Sequence, residues 1–473
     1  MSEEDRAGTN LSRPPIAGPG GDGAPREANV VARTGPARRM TFREVMSVGG
    51  RSTLGLLFGL LLVDSIDNAM FTVFAPEIRE SLGMTSAQIV VVGALAGVMV
   101  SLGALPIGLL GDRRRRIGIA GVCTLVWAAA AASLTLVHTL VQVVVARVVA
   151  GIGRANEGPI QISILTDAYP PAGRGRVLGV HRAAQPLGIV AGPVLAAAFA
   201  AVVPAGHESW RWAFAFLACC GVLLAVATLR LPEPVRGRFE RDVPPGRRSL
   251  PDQDTTLVSP RTAFARLKKI RTFYFVMVAL GAFGLCVIAV PVYLTLILED
   301  QLGQDVGARG LIGAVCAVGG LAGAALGGVY SDRLFRRSPT GSLYLASAAL
   351  AALGVGFAVQ AYSPDVTTFV VVGVLTQGVT FAGLVPLSLV VAAVTPPQLR
   401  STAFALVGVY LAFVGGLGGA LVTGLADQAW GPQAAVAVVA SSASVVAGLV
   451  LASGSGHLLG DIAAQAGPGG RDA

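Results

Sequence analysis

Charged side chains are scarce in this sequence. Asp, Glu, Lys and Arg make up 13% of its 473 residues, where a soluble domain carries about 25%. A chain so poor in charge cannot cover a water-exposed surface, which excludes an ordinary soluble fold. Cysteine is rare as well: Cys123, Cys219, Cys220, Cys286 and Cys316 form an odd set, all within apolar stretches and without metal-ligand spacing. They read as small core residues, so neither a disulfide framework nor a metal site is expected. The four histidines, His138, His181, His207 and His457, are scattered and fall mostly at the ends of apolar runs. No nucleophile–base pair, metal cluster or phosphate-cradling loop is present in the sequence, so neither an enzyme nor a cofactor is expected. No cleavable signal peptide is visible, and residues 1–50 have the polar, Gly-, Pro- and Arg-rich composition of a disordered tail.

What the sequence has in abundance is apolar length. Hydrophobic residues make up 53% of the chain, gathered into runs of the ~20 residues that cross a bilayer core as a helix. Twelve runs are predicted, near 53–76, 87–110, 117–137, 139–167, 177–203, 210–231, 273–298, 309–330, 341–360, 368–393, 401–424 and 432–455. The fold class expected is therefore an all-α membrane protein of two six-helix bundles, over 51–231 and 273–455, joined by a linker over 232–272 and followed by a tail over 456–473. The linker is rich in proline and charge. Its segment from Ser259-Pro260 through Ile270 reads as a capped, basic amphipathic helix lying on the membrane surface. Arginine sets the orientation. With a cytoplasmic N-terminus, Arg113 to Arg116, Arg174, Arg176, Arg182, the linker, Arg333, Arg336, Arg337 and Arg400 all fall inside, while only Arg79, Arg211 and Arg309 fall outside. Both termini are then cytoplasmic. The net charge of +9 reports topology and contact with anionic lipid, and nucleic-acid binding, the rival reading of Arg113 to Arg116, is set aside.

The two halves repeat one motif at one place. After the second run comes Gly108-x-x-x-Asp112-Arg113-x-x-Arg116, and after the eighth comes Gly328-x-x-x-Asp332-Arg333-x-x-Arg336. Glycine permits close helix approach, and the aspartate can accept hydrogen bonds from a neighbouring helix N-terminus. These paired loops resemble the signature of the major facilitator superfamily, although its usual glycine is Arg115 in one copy and Phe335 in the other. Arg147-x-x-x-Gly151-x-Gly153 resembles that superfamily's proton-coupling motif. Gly179, Gly188, Gly192 and Pro193 resemble its antiporter motif, which here ends in Ala196-Ala197. Asp67 to Ile78, and Leu231-Pro-Glu233-Pro234 with Arg236-Gly237, are similar to segments of spinster-type lipid transporters. The arginine usual after the first-span aspartate is Asn68 here, and Glu157 stands three residues beyond Arg154. The resemblance implies a transporter working by alternating access, with the paired loops as its gate.

Ionisable groups inside apolar runs cost about 2.5–3.5 kcal/mol each on insertion scales unless paired or wet. They are Asp64 and Asp67 in the first run and Arg147, Arg154 and Glu157 in the fourth. Asp64, Asp67 and Asn68 share one helix face. At ~1.5 Å rise per residue, Asp64 and Asp67 lie about 16 and about 21 Å from the inner edge, and Glu157 and Arg154 about 15 and about 20 Å. This pairs Asp67 with Arg154 and sets Asp64 beside Glu157, so that one carboxyl keeps a proton near neutral pH. The second half carries no equally deep carboxylate.

Substrate class follows from what the spans do not offer. Only four asparagines occur, and only Asn68 and Asn156 lie in spans, too few partners for a sugar or peptide stripped of water. An apolar cavity suits an amphipathic substrate, lipid-like or drug-like, exported against protons from a monomer in the cell membrane. The alternative is proton-coupled symport of a small organic anion held at Arg154. Sodium ranks below protons as the coupling ion, because the arginines repel it.

Overall fold

The computed structural model describes residues 41–204, 207–236, 239, 267–395 and 400–466. Among these residues, eleven helices are long and apolar enough to cross a membrane. We number the spans in chain order. The first half holds α1 (Arg51–Val73), α2 (Ser86–Arg113), α3 (Arg116–Leu134), α4 (Leu140–Arg154, a π turn Glu157–Gln161, then Ile162–Ala168), α5 (Pro171–Val202) and α6 (Ser209–Leu229). The second half holds α7 (Arg271–Val287 and Val290–Asp300), α8 (Val306–Arg337), α9 (Pro339–Ala361) and α10 (Val366–Val394). It ends with α11 (Arg400–Tyr410, a π turn Leu411–Leu417, then Gly418–Trp430) and α12 (Pro432–Ser453). Their starts are written locally. Thr85 with Gln88 and Thr139 with Gln142 form capping boxes at α2 and α4, and Asp305, Ser338 and Asp365 cap α8, α9 and α10.

The twelfth span is α4, which is interrupted: its longest unbroken piece has 15 residues. The cause is Gly158-Pro159. Proline has no N–H and clashes with the preceding turn, so the ladder widens: Gln161 N donates to Asn156 O at 3.3 Å, five residues back. Side chains stitch the break, with Asn156 Nδ2 donating to Gly153 O at 2.9 Å and Gln161 Nε2 to Asn156 Oδ1 at 3.0 Å. α4 packs between α2 and α3 and completes the first six-helix half.

Two segments read as tail from composition are helical. Phe42–Gly49 opens on a Thr41–Glu44 capping box and buries Val45 and Met46; a methyl on Gly173 would sit 2.3 Å from Val45. Ser455–Ala466 docks at the start of α7, where Asp461 accepts from Thr272 N at 2.7 Å. Short caps of this kind vanish in a composition average. The linker helix expected from Ser259 through Ile270 lies outside the described residues up to Arg266; of its last four residues, Leu267 and Ile270 are buried and Lys268 and Lys269 are exposed.

The halves meet at the end away from the arginine clusters. A methyl on Gly310 of α8 would lie 2.4 Å from Pro193 O of α5, and one on Gly424 of α11 would lie 2.7 Å from Ala87 of α2. Among the described residues, the ion pairs joining the halves all sit at this end: Arg79 with Asp300 and Glu299, and Arg309 with Glu77. The molecule is therefore closed at its arginine-poor end.

Within the first half, α5 lies on α1 through glycine. A methyl on Gly188 would meet Ser65 Cβ at 2.4 Å and Leu62 O at 2.9 Å, and one on Gly192 would meet Ala69 Cβ at 2.5 Å. Gly188→Val is expected to wedge α1 from α5 at a cost of about 1–3 kcal/mol. A melting temperature several degrees lower in detergent would show it, and an unchanged one would contradict this packing.

Candidate functional site

The deepest polar cluster lies between α1 and α4. Arg147 and Asp67 are each 1% exposed, and Arg147 Nη1 lies 3.0 Å from Asp67 Oδ2. One turn away, Arg154 Nη2 donates to Asp64 Oδ2 at 2.7 Å, and Arg154 Nε is in contact with Asp64 Oδ1. Asn68 joins the two pairs: its Oδ1 accepts from Arg154 Nη1 at 2.8 Å and from Arg147 Nη2 at 3.4 Å. The Arg147 guanidinium lies over the Phe71 ring, 4.2 Å from its centroid, so its charge is matched by a carboxylate, an amide oxygen and an aromatic face.

Rise alone pairs Asp67 with Arg154 and Asp64 with Glu157, and the structure shifts that register along α4 by one turn for Asp64 and by two for Asp67. Asp67 takes Arg147, keeping Arg154 only at 4.0 Å, and Asp64 takes Arg154. Glu157 approaches Arg154 Nε at 3.9 Å. The π turn moves Arg154 in that direction, because a wider turn advances less per residue, but by only one residue's rise, ~1.5 Å; the reach of the long arginine side chains covers the rest. Three carboxyls thus face two guanidinium groups. A cavity beside them is lined by Asp64, Thr124, Trp127, Arg154, Glu157 and Gln161. Arg182 of α5, exposed to solvent, is the other cation whose field reaches Glu157.

The paired loop motifs lie at the arginine-rich end. In the first copy Arg116 is 4% exposed, and it gathers the neighbouring elements rather than lipid phosphate. It donates to Asp167 Oδ2 at 2.5 Å, Ser163 Oγ at 2.7 Å, Glu233 Oε1 at 3.1 Å and Pro234 O at 3.0 Å. Glu233 also accepts from the backbone N–H groups of Arg116 and Ile117 at 3.1 and 2.9 Å, capping α3 from the chain after α6. Arg236 donates to Gly111 O and Arg114 O at 2.5 and 2.8 Å. Sequence reasoning noted Glu233 only through resemblance and missed Asp167; the signal was its place one loop from a basic motif. Arg113 and Arg333 are exposed, and Gly108 sits against Pro159 of the π turn, 3.2 Å from where its methyl would be. The side chains of Asp112, Asp332 and Arg336 lie outside the described residues, although their backbones, like that of Gly328, are helical.

The glycine–proline motif of α5 divides its work. Gly188 and Gly192 receive α1, Pro193 receives α8 of the other half, and Gly179 faces open space. In the second half Gln360 is spent on Phe369 O at 3.2 Å, and Tyr293 donates to Asp427 at 3.3 Å.

Comparison with known proteins agrees with this architecture. The model of the Major Facilitator Superfamily matches residues 57–419. A probable L-galactonate transporter of Escherichia coli (strain K12) is 28% identical over 171 residues, 36% of this chain and 37% of that protein. A probable sulfoacetate transporter, SauU, of Cupriavidus necator is 26% identical over 322 residues, 66% of this chain and 71% of that protein. The match therefore spans little more than a third of the first of these relatives. Among solved structures, a bacterial homolog of the human lysosomal transporter Spinster, inward-facing and unoccupied, has a TM-score of 0.72 at 20% identity, covering 87% of this chain and 96% of that one. The nucleoside transporter NupG gives 0.65 at 15% identity, covering 85% and 98%. At these identities the likeness to the solved structures is one of fold.

The ion pairs predict an asymmetric mutational response. Arg154→Gln leaves Asp64 buried without its cation and should cost about 3–5 kcal/mol, whereas Arg154→Gln with Asp64→Asn removes both charges and should recover much of it. Thermal unfolding of the two variants tests this; equal losses would mean the pair is not what holds α1 to α4.

Proposed function

Because the chain belongs to the major facilitator superfamily, a family of transporters rather than enzymes, we propose that it is a proton-coupled secondary transporter whose coupling site is the α1–α4 cluster. The observation that carries this reading is the imbalance of charge. Asp64 and Asp67 each have an arginine in contact, while Glu157 has no ion pair closer than the 3.9 Å approach to an arginine already engaged, beside the field of the exposed Arg182. A buried carboxylate without its own cation costs several kcal/mol when ionised, so Glu157 holds a proton. It is also the most exposed of the five charged groups, with 22% of its side chain accessible, which gives that proton a way out. On release, Arg154 is divided between Asp64 and Glu157 and its hold on Asn68 weakens. Protonated and deprotonated clusters then favour different packings of α1 against α4, the two-state element that coupling requires. The arginine-rich end faces the cytoplasm, the multi-pass chain works as a monomer in the cell membrane, and the paired loops around Asp112 and Asp332 gate that end.

The substrate we propose is amphipathic, lipid-like or drug-like, and exported by antiport. Both cluster arginines are already engaged by carboxylates, and the spans carry few other polar groups to match a hydroxyl-rich solute. Proton-coupled symport of a small organic anion is the second reading. It is favoured by the relatives named for L-galactonate and sulfoacetate, and it would make Arg154 the anion site once Asp64 takes a proton.

Purified protein in liposomes with an internal pH dye separates these readings. A lysophospholipid, a lipophilic cation and a small carboxylate are added in turn without an imposed gradient. Proton movement triggered by an amphiphile and lost in both Asp67→Asn and Glu157→Gln is expected. A response to the carboxylate alone would replace antiport by symport, and full pH-coupled transport surviving in both variants would remove the cluster from coupling.

A further inference from the structure

The arginine-poor end holds a second charge cluster, outside the membrane-depth site and built from both halves. The short helix Ala75–Ser81, between α1 and α2, carries Glu77, Arg79 and Glu80. Facing it are Glu299 and Asp300 at the end of α7 and Arg309 at the start of α8. Arg309 has 1% of its side chain exposed and contacts Glu77 across the divide, while its Nη1 lies 3.4 Å from Glu299 Oε2 and donates to Gln304 O at 3.1 Å. Arg79, 20% exposed, donates to both carboxyl oxygens of Asp300 at 3.0 and 3.2 Å and lies 3.8 Å from Glu299. Asp427 of α11, held by Tyr293, is the remaining carboxyl whose field meets Arg79.

We propose that Glu77, Arg79, Glu299, Asp300 and Arg309 form an inter-half latch that sets how often the arginine-poor end opens, and that acid on that face holds the latch shut.

The geometry makes the latch reversible. When the halves part, Arg309 keeps Glu299 and Gln304 O on its own half, and Arg79 keeps Glu80 as its neighbour, so neither cation is stranded. Glu77 is the member whose surroundings change most, from burial against Arg309 and Glu299 to water. Two carboxylates, Glu77 and Glu299, share the one buried guanidinium. Burial and the Glu299 charge push the Glu77 carboxyl up, against the pull of Arg309. A group that binds its proton more tightly in the closed state than in the open one draws the equilibrium toward closure as pH falls through its range. Removing Arg309 acts in the opposite direction, because it leaves Glu77 and Glu299 together without a cation. For a transporter that admits protons from that face, an acid-closing latch limits entry when the outside is most acidic; that consequence rests on the proton-coupled reading, whereas the latch itself does not.

Spin labels at Leu136 and Tyr362, both exposed and one on each half, report the opening directly by pulsed distance measurement. The labels are placed in protein whose native cysteines are replaced. In Arg309→Gln the long-distance population is expected to rise about tenfold relative to the parent, the size of effect that about 1.4 kcal/mol produces. The exchanged pair Glu77→Arg with Arg309→Glu should return it toward the parent value, and Arg309→Lys should fall between. Lowering the pH should shrink the long-distance population in the parent and leave it unchanged in Glu77→Gln. Folded Arg309→Gln or Arg309→Lys with the parent distribution would overturn the latch, and a pH response intact in Glu77→Gln would overturn its control by acid. Because the readout is distance, loss of proton-coupled transport in liposomes bears on the coupling site and not on this proposal.

Discussion

Arg147 and Arg154 stand on α4 at a depth where water cannot neutralise them, and α1 has to supply the opposite charge. That requirement organises the first half of the molecule. Asp64 and Asp67 must face α4, which fixes the rotation of α1; Asn68 follows on the same face and ties the two ion pairs into one unit. With that face committed, the opposite side of α1 is left to pack on α5. Gly188 and Gly192 let α5 approach so closely that a methyl on Gly192 would fall 3.0 Å from the Ile66 carbonyl. Small residues at such a seam let dispersion hold helices together where no hydrophobic effect operates between them.

The same α5 then reaches the other half. Pro193, one residue beyond the glycine that receives Ala69, meets Gly310 and Gly313 of α8. A helix whose one face follows the charged α1 and whose other face lies on the second half is placed to carry a change in the cluster to the inter-half boundary. At the arginine-rich end, Arg116 ties the α2–α3 loop, the end of α4 and the chain after α6 to one another. The joints that remain are local: the π turn of α4, the break in α7 before Pro291 and the π turn of α11. Such turns recur where helices must change shape.

Much of this was legible in the sequence, for identifiable reasons. Span positions follow from apolar length against a fixed bilayer thickness, and the paired Gly-x-x-x-Asp-Arg loops mark equivalent corners of two repeated halves. The residues of the buried cluster were legible too, since a charge inside an apolar run is costly enough to stand out. Their partners were not. Pairing depends on rise and reach to within one turn, and Gly158-Pro159 changed the rise of α4 in a way that counting residues does not register. Glu77 was not singled out and Arg309 served only to set the orientation, because each lies at a span end, where a charge is ordinary; only the approach of the two halves pairs them. The helix at Phe42–Gly49 was hidden by the polar composition around it, although Thr41 and Glu44 carried its cap.

The central claim is that the α1–α4 cluster holds three carboxyls against two buried arginines, with the exposed Arg182 as the one further cation acting on Glu157, and keeps one proton there. Infrared difference spectroscopy of the purified protein across a pH titration tests it most directly, because a protonated carboxyl has a carbonyl stretch that a carboxylate lacks. A band component present at neutral pH in the parent, in Glu77→Gln and in Asp365→Asn, a surface control, but missing from Glu157→Gln, is the predicted result. A neutral-pH spectrum without any protonated carboxyl, or a band unchanged in Glu157→Gln, would contradict the account.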